Sequence, residues 1–365
     1  GFINFAKRMG ISTLTRDDYG LSLTLGGGDV SLLELTSAFG VFANSGVRMA
    51  PVAILRIVDS DGNEVYSYNT PQGEQVIRTE HAYLISDILS DNNARAMMFG
   101  TNSLLNLPFR VAAKTGTTND FRDNWTLGYT PDLVVGVWVG NADYTPMQNT
   151  TGMTGAAPIW SDFMQYAITK LTGGIPTAFY RPNTIVDRVI CSVSGTEPSE
   201  WCPEQRGESY AIDQLPLPKE NDLWQKVNID TWTGLLASPY CSDYTEEKLA
   251  INVTDPYAIR WIKESSDGTN WAENLGFEQP FFFRPSRECK DTDARPHIEF
   301  AGISYGQTIE SSPLDIYAII DATENFASYR LEFGYGDDPS NWKVLKEDNN
   351  RFNQPELIYT WDLST

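Results

Sequence analysis

Val111-Ala112-Ala113-Lys114-Thr115-Gly116-Thr117-Thr118, continued by Asn119-Asp120-Phe121-Arg122-Asp123-Asn124-Trp125, is the stretch on which the reading of this 365-residue chain turns. Three small apolar residues lead into Lys-Thr-Gly-Thr, which reads as a short strand ending in polar chemistry. On an edge strand each residue of that tetrapeptide has a use. Gly116 has no side chain, so another backbone can approach closely and an extended peptide can dock as an added strand. Lys114 supplies a fixed positive charge that can hold a carboxylate or tune a neighbouring hydroxyl. Thr115 and Thr117 point to the same side, because side chains alternate along a strand. Their hydroxyls, with that of Thr118 beside them, can bind a carboxylate or carbonyl, and the Thr117 amide can contribute to an oxyanion hole. Alone, such a tetrapeptide is short and common, and reads equally well as a surface strand running into a turn.

The surroundings frame it as an α+β layer with an antiparallel sheet. Ser31-Leu32-Leu33-Glu34 has capping-box spacing. Leu32, Leu35, Phe39 and Phe42 follow at helical intervals, and Gly46 stops the pattern. Residues 52–58 and 64–67 read as a hairpin around Asp61-Gly62. Thr79 is the expected cap of a second helix carrying Tyr83, Leu84, Ile88 and Leu89. Three strands are expected at 110–115, 124–129 and 133–140. The last is almost continuously apolar, so both its faces should be buried. Pro158 suits a first helical turn, with Ile159, Trp160, Phe163, Met164, Ala167, Ile168 and Leu171 as one broad apolar face.

Several stretches together carry a family resemblance: Leu25-Gly26-Gly27-Gly28-Asp29-Val30-Ser31, Phe42-Ala43-Asn44-Ser45-Gly46, Ala113-Lys114-Thr115-Gly116-Thr117-Thr118, Leu127-Gly128-Tyr129-Thr130-Pro131 and Val137-Trp138-Val139-Gly140-Asn141. In this order they resemble the C-terminal part of the transpeptidase domain of class A, bifunctional penicillin-binding proteins. The resemblance covers about residues 1–171. It implies peptidoglycan cross-linking, in which a serine attacks the penultimate D-alanine of a D-Ala-D-Ala stem peptide and β-lactams trap the acyl-enzyme. It makes Lys114, Thr115, Gly116 and Thr117 the third of three motifs, and Thr115, Thr117 and Thr118 substrate-binding.

The other two motifs, Ser-x-x-Lys and Ser-x-Asn, should precede the third. The only Ser-x-x-Lys is Ser340-Asn341-Trp342-Lys343, which follows it, and Ser67-Tyr68-Asn69 ends the expected hairpin. Both read as chance matches. The opening, Phe2-Ile3-Asn4-Phe5-Ala6-Lys7-Arg8-Met9, resembles the segment just after the family's Ser-x-Asn. The expectation is therefore a fragment without its nucleophile and the lysine that follows it, inactive alone. The missing N-terminal part, including a glycosyltransferase domain and a membrane anchor, would lie upstream. The chain opens on Gly1-Phe2-Ile3 without methionine and closes at Tyr359–Thr365 within a strand pattern, so both ends read as cut.

Composition is that of a folded protein, with 41% hydrophobic and 12% aromatic residues, and the length calls for two or three domains. The formal charge of −21 argues against a nucleic-acid partner. Residues 1–171 hold 11 basic and 16 acidic side chains, whereas the remainder holds 16 and 32, so the acidity lies mostly beyond the motif. That later part also holds Cys191, Cys202, Cys241 and Cys289. Their spacing fits no metal site, and His81 and His297 stand apart from them, so disulfides in an extracytoplasmic compartment are expected. Cys191–Cys202 with Cys241–Cys289 is the pairing nearest in sequence. No metal or other cofactor is implied.

The domain reading is 1–172 for the partial transpeptidase domain, 173–296 for a proline-rich, disulfide-stapled and loop-rich β segment, and 297–365 for a truncated immunoglobulin-like β-sandwich. No solenoid-type repeat is evident. Trp125 and Trp138 read as core, Gly26-Gly27-Gly28-Asp29 as a tight turn, Asp120 and Asp123 as loop residues, and His81 as structural. A rival from another class is a noncatalytic cell-envelope scaffold, with the acidic C-terminal domains binding glycan or protein.

Overall fold

The structure is a computed structural model and describes residues 1–363. It divides into two compact units, residues 1–188 with 207–215, and residues 189–206 with 216 onward. No helix among the described residues is long and apolar enough to cross a membrane.

The first unit begins with α1 (Phe2–Met9), a short 3-10 turn (Leu21–Leu25) closed by left-handed Gly26, and α2 (Leu32–Ala43). Ser31 caps α2 by accepting from the Glu34 amide. The box is left half closed. The Glu34 carboxylate turns away to Ser12 and Thr13, whose hydroxyls at 2.5 and 2.7 Å hold its pKa below the ordinary value. Beyond α2, Gly46 is left-handed, and a β-carbon there would lie 2.1 Å from the Ile77 carbonyl oxygen. No other residue fits that crossing.

Two small hairpin-like pairings follow, β1 (Val47–Arg48) with β4 (Glu74–Gln75), and β2 (Arg56–Val58) with β3 (Glu64–Ser67). Next come α3 (Thr79–Ser90) and α4 (Asn92–Phe99). Thr79 is the first residue of α3 and Arg78 its cap, so the expected threonine cap is displaced by one position.

The central sheet is β5 (Ala112–Thr117), β6 (Asp123–Thr130) and β7 (Leu133–Gly140), antiparallel in that order. Glycines on β6 and β7 mark what packs on each face. A β-carbon at Gly136 would strike Thr36 and Leu32 of α2, and one at Gly128 would strike the Trp160 ring of α5 (Ala156–Thr172). Gly136 aligns with Leu127 and Lys114, while Gly128 aligns with Ala113 and Val135. The sheet is thus covered by α2 on the lysine side and by α5 on the threonine side. Its main cluster joins Leu105, Leu107, Val111, Ala113, Val135, Trp160, Met164 and Ile168.

The apolar face expected for α5 is half realised. Trp160, Met164 and Ile168, four residues apart, are buried, whereas Ile159, Phe163 and Leu171 are exposed. On β7 only Val135 is fully buried, and the paired Trp125 and Trp138 are both partly exposed rather than core.

The hairpins that follow α5 are built differently, the first having residues 185–188 and 207–211 in the first unit and its turn in the second. The antiparallel strands β8 (Ile185–Cys191) and β9 (Gln205–Ala211) form one hairpin, and β10 (Trp224–Asp230) with β11 (Thr245–Ile251) another. Their turns are two copies of one design, offset by 39 positions (191 to 230, 195 to 234, 202 to 241). Gly195 and Gly234 are both left-handed, and their amides bond to Cys191 and Asp230. Ser199 and Ser238 each hold the amide two residues on. One difference between the copies changes the crosslink. Cys191 pairs with Cys202 inside its own hairpin, but Asp230 occupies the equivalent place, and Cys241 pairs instead with Cys289. The helices α6 (Pro256–Glu264) and α7 (Ser266–Asn274) add Ile262 and Ala272 to a cluster with both cysteines of the first bridge, Trp224, Ile251 and Phe277.

The last strands form two sheets, β12 (Pro296–Ala301), β13 (Leu314–Ala322) and β16 (Phe352–Trp361), and β14 (Tyr329–Gly334) with β15 (Trp342–Asp348). Ile316, Ala318, Ile320, Leu331 and Ile358 form their shared cluster. β16 ends at Trp361, and of the closing stretch read as strand, Ser364 and Thr365 lie outside the described residues.

Candidate active site

Lys114-Thr115-Gly116-Thr117 lies on β5, the end strand of its sheet, with no strand paired on its far side among the described residues. Lys114 is exposed, and its Nζ donates to the neighbouring Thr115 carbonyl at 2.6 Å. Lys114 and Gly116 share the face that carries Leu127 and Trp125 on β6. Thr115 and Thr117 share the opposite face with Thr126 and Asn124. The two threonines therefore stand side by side, on the other surface of the strand from the lysine.

The threonine face is covered by the segment that leads into α5. Gly152 is buried there. Its amide donates to Thr117 Oγ1 at 3.0 Å, and its carbonyl accepts from Thr126 Oγ1 at 3.0 Å and from the Ala157 amide at 2.8 Å. Fully buried Asn124 reaches Thr150 Oγ1 from the same face at 3.1 Å. Sequence reading singled out neither Gly152, Thr126 nor Asn124. The only local signal is a run of small polar residues, Thr150-Thr151-Gly152-Met153-Thr154-Gly155, which carries no periodicity.

The loop after β5 is pinned by Asp123. Its backbone amide donates to Thr118 Oγ1 at 2.8 Å, and one carboxylate oxygen accepts from Trp138 Nε1 at 2.8 Å. Thr118 is thereby tied into the loop, and Trp138 serves as a strut. Asp120 lies beside Arg122 at 3.7 Å, on the solvent side. Asp120, Phe121, Tyr144 and Asn149 are left-handed without being glycine. Such strain persists only where the surroundings fix it. Here the Met147 amide donates to the Phe121 carbonyl, and Arg122 bonds the Tyr144 carbonyl at 2.7 Å and stacks on its ring.

Other candidates fall away from this strand. Tyr129 is buried on the lysine face among Phe39, Phe42 and Phe179, its hydroxyl on Ser86, and burial pushes its phenol up to about 12. His81 bonds Gln214 at 2.8 Å, a structural contact. Ser67 ends β3, and Ser340 and Lys343 lie at the start of β15, where the lysine stacks over Phe333 and Tyr335. Cys191, Cys202 and Asp222 cluster, as do Asp230, Cys241 and Cys289. Their sulfurs are joined in disulfides and offer no thiolate to a metal.

The chain is similar in part to several penicillin-binding proteins. Penicillin-binding protein 1A of Aquifex aeolicus (strain VF5) is 38% identical over 166 residues, 45% of this chain and 22% of that protein. Penicillin-binding protein 2D of Bacillus subtilis (strain 168) is 29% identical over 236 residues, 58% of this chain and 33% of that protein. Among solved structures, penicillin-binding protein PonA1 from Mycobacterium tuberculosis is similar with a TM-score of 0.43 at 25% identity, covering 49% of this chain and 51% of that one. This chain spans about a fifth to a third of the length of these curated relatives. Residues 12–165 match the penicillin binding protein transpeptidase domain.

Proposed function

We propose that this chain is part of a peptidoglycan cross-linking D,D-transpeptidase acting on stem peptides that end in D-Ala-D-Ala, and that its β5 edge aligns the peptide. The observation that carries this reading is an open edge strand bearing Lys114 on one face and the Thr115/Thr117 pair on the other. An extended peptide adds to the edge through backbone hydrogen bonds. Lys114 supplies positive charge, Thr115 and Thr117 supply hydroxyls, and Gly116 leaves room for the incoming backbone. Thr118, already bonded to Asp123, contributes by fixing the strand's end rather than by reaching for the ligand.

The nucleophile would come from a Ser-x-x-Lys that no residue before Lys114 supplies. Covalent catalysis needs that serine, and positioning cannot replace it. In this reading the enzyme is completed by an N-terminal part of the same protein, which in class A proteins also carries the glycosyltransferase and the membrane anchor. Leu21 and Leu25 are 93% and 91% exposed beside a cavity of about 520 Å³ lined by α1 and residues 14–24, which supports a docking face on this side. The place of action would be the outer face of the cytoplasmic membrane, where disulfides persist and β-lactams reach their target.

The second unit is read as an accessory module ending in an immunoglobulin-like β-sandwich. A noncatalytic role in binding glycan or protein is favoured by the exposed aromatic pair Trp232 and Tyr244, stacked edge to face on the second hairpin.

Titrating N-acetyl-D-alanyl-D-alanine into the isotopically labelled chain tests the first reading. Amide shifts are expected along 114–118 and not along β12–β16. Shifts confined to the second unit would favour the scaffold, and none at 114–118 would sink the transpeptidase edge.

A further inference from the structure

We propose that Gly152 is a positioning residue for the Lys114-Thr115-Gly116-Thr117 edge, fixing the direction in which the Thr117 hydroxyl donates its hydrogen. This rests on the reading of β5 as the edge that binds a peptide carboxylate.

A threonine hydroxyl has one hydrogen and two acceptor sites, and it rotates freely unless a neighbour fixes it. Here the Gly152 amide, which can only donate, occupies one acceptor site of Thr117 Oγ1 at 3.0 Å. The hydroxyl hydrogen must then point away from Gly152. Thr117 is exposed, so that hydrogen is available to an incoming oxygen. The amide also draws electron density from the hydroxyl oxygen, which strengthens the donor. Thr117 therefore meets an anionic or carbonyl oxygen as a preset donor.

The Gly152 peptide is itself immobilised. Its carbonyl accepts from buried Thr126 Oγ1 at 3.0 Å and from the Ala157 amide at 2.8 Å. Residue 152 thus bridges β5, β6 and the first turn of α5 through its own N–H and C=O. Only glycine permits this approach. A β-carbon at 152 would lie 2.7 Å from the Trp125 carbonyl oxygen, 2.8 Å from that of Gly116 and 3.0 Å from Thr115 Cβ. Those atoms are backbone or strand-bound, and yield only if the segment lifts off the sheet. The chemical class selected is a peptide ending in a free carboxylate, because a C-terminal amide presents less negative charge to the preset donor.

The test uses the whole chain and two probes, N-acetyl-D-alanyl-D-alanine and its C-terminal amide, with affinity read from amide shifts along β5. Thr126→Val keeps the shape of residue 126 and removes the hydroxyl that holds Gly152. One lost hydrogen bond corresponds to about threefold to tenfold weaker binding of the carboxylate. The preference for carboxylate over amide should narrow, and Thr126→Ser should restore both. Gly152→Ala should weaken binding at least as much, and Thr117→Val sets the full effect. If Thr126→Val and Gly152→Ala bind like the unaltered chain while Thr117→Val is weakened, the positioning role is overturned and the site stands. If the unaltered chain does not bind, or Thr117→Val binds as well as it does, the site reading is overturned and the positioning role falls with it.

Discussion

The sheet β5–β7 and the hairpins β8–β11 are held together by different means. The sheet is sandwiched between α2 and α5, and its stability comes from apolar burial around Trp160, Met164 and Ile168. Each hairpin instead folds around a polar turn, a disulfide and a buried carboxylate. Asp222 accepts from Ser194 and the Ser199 amide, and Asp230 binds Thr233 and Arg295. The lesson is about tolerance. A packed sheet lets an edge strand stay open for a ligand, because its other face and flank are secured. The hairpin turns commit their amides to their own carbonyls and hydroxyls, which leaves less of that backbone free to bind anything.

The largest effects should come from removing one keystone on each side. Trp160→Ala empties a fully buried site and should cost about 3–5 kcal/mol, read as faster hydrogen exchange in β5–β7. Arg295→Met strands the buried Asp230 carboxylate and should cost a similar amount, about 3–5 kcal/mol, with exchange rising in β10–β11. If either change loosened both regions equally, the contrast between them would fail.

The two disulfides sharpen the comparison within the hairpins. Cys241 and Cys289 are 48 residues apart, Cys191 and Cys202 only 11. Chain entropy makes the longer loop more costly to release. Replacing its cysteines by serine should destabilise about 1 kcal/mol more than replacing those of the shorter loop, as denaturant midpoints would show. The reverse order would mean that the turn chemistry, not loop closure, dominates.

The regions should also differ in pH response. Tyr129 belongs to the sheet, and burial raises its phenol from 10.0 to about 12. Its contribution, at most about 2–3 kcal/mol, is complete below pH 10 and lost between pH 10 and 12. Asp293 follows the second bridge, and the Arg287 side chain, then the Lys290 amide, lower its carboxyl from 3.8 to about 2. It is present as a stabilising carboxylate above about pH 4 and is lost as pH falls toward 2. Carboxyl and phenol titrations by NMR should show these midpoints, and ordinary values at both would remove the distinction.

Much of the sheet is legible in the sequence because its signals are local. The strand expected at 110–115 is found at Ala112–Thr117, Ser31 caps a helix, and Pro158 lies in the first turn of another. What was missed depends on contacts across distance. Glu34 has capping-box spacing, yet Ser12 and Thr13 claim its carboxylate. Ile159 and Phe163 are as apolar as Trp160, but the sheet meets only one stripe of α5. Gly152 is a glycine for reasons that lie on two other strands. The hairpin copies are hard to see in the sequence because they share a few fixed positions, Gly195 with Gly234 and Ser199 with Ser238, rather than a continuous pattern.

The central claim is that this chain carries the edge that aligns a peptide but not the serine that reacts with it. Incubating it with a fluorescent penicillin, followed by denaturing electrophoresis, tests that claim directly. The account expects no labelled band from this chain alone, and a labelled band that survives denaturation would contradict it.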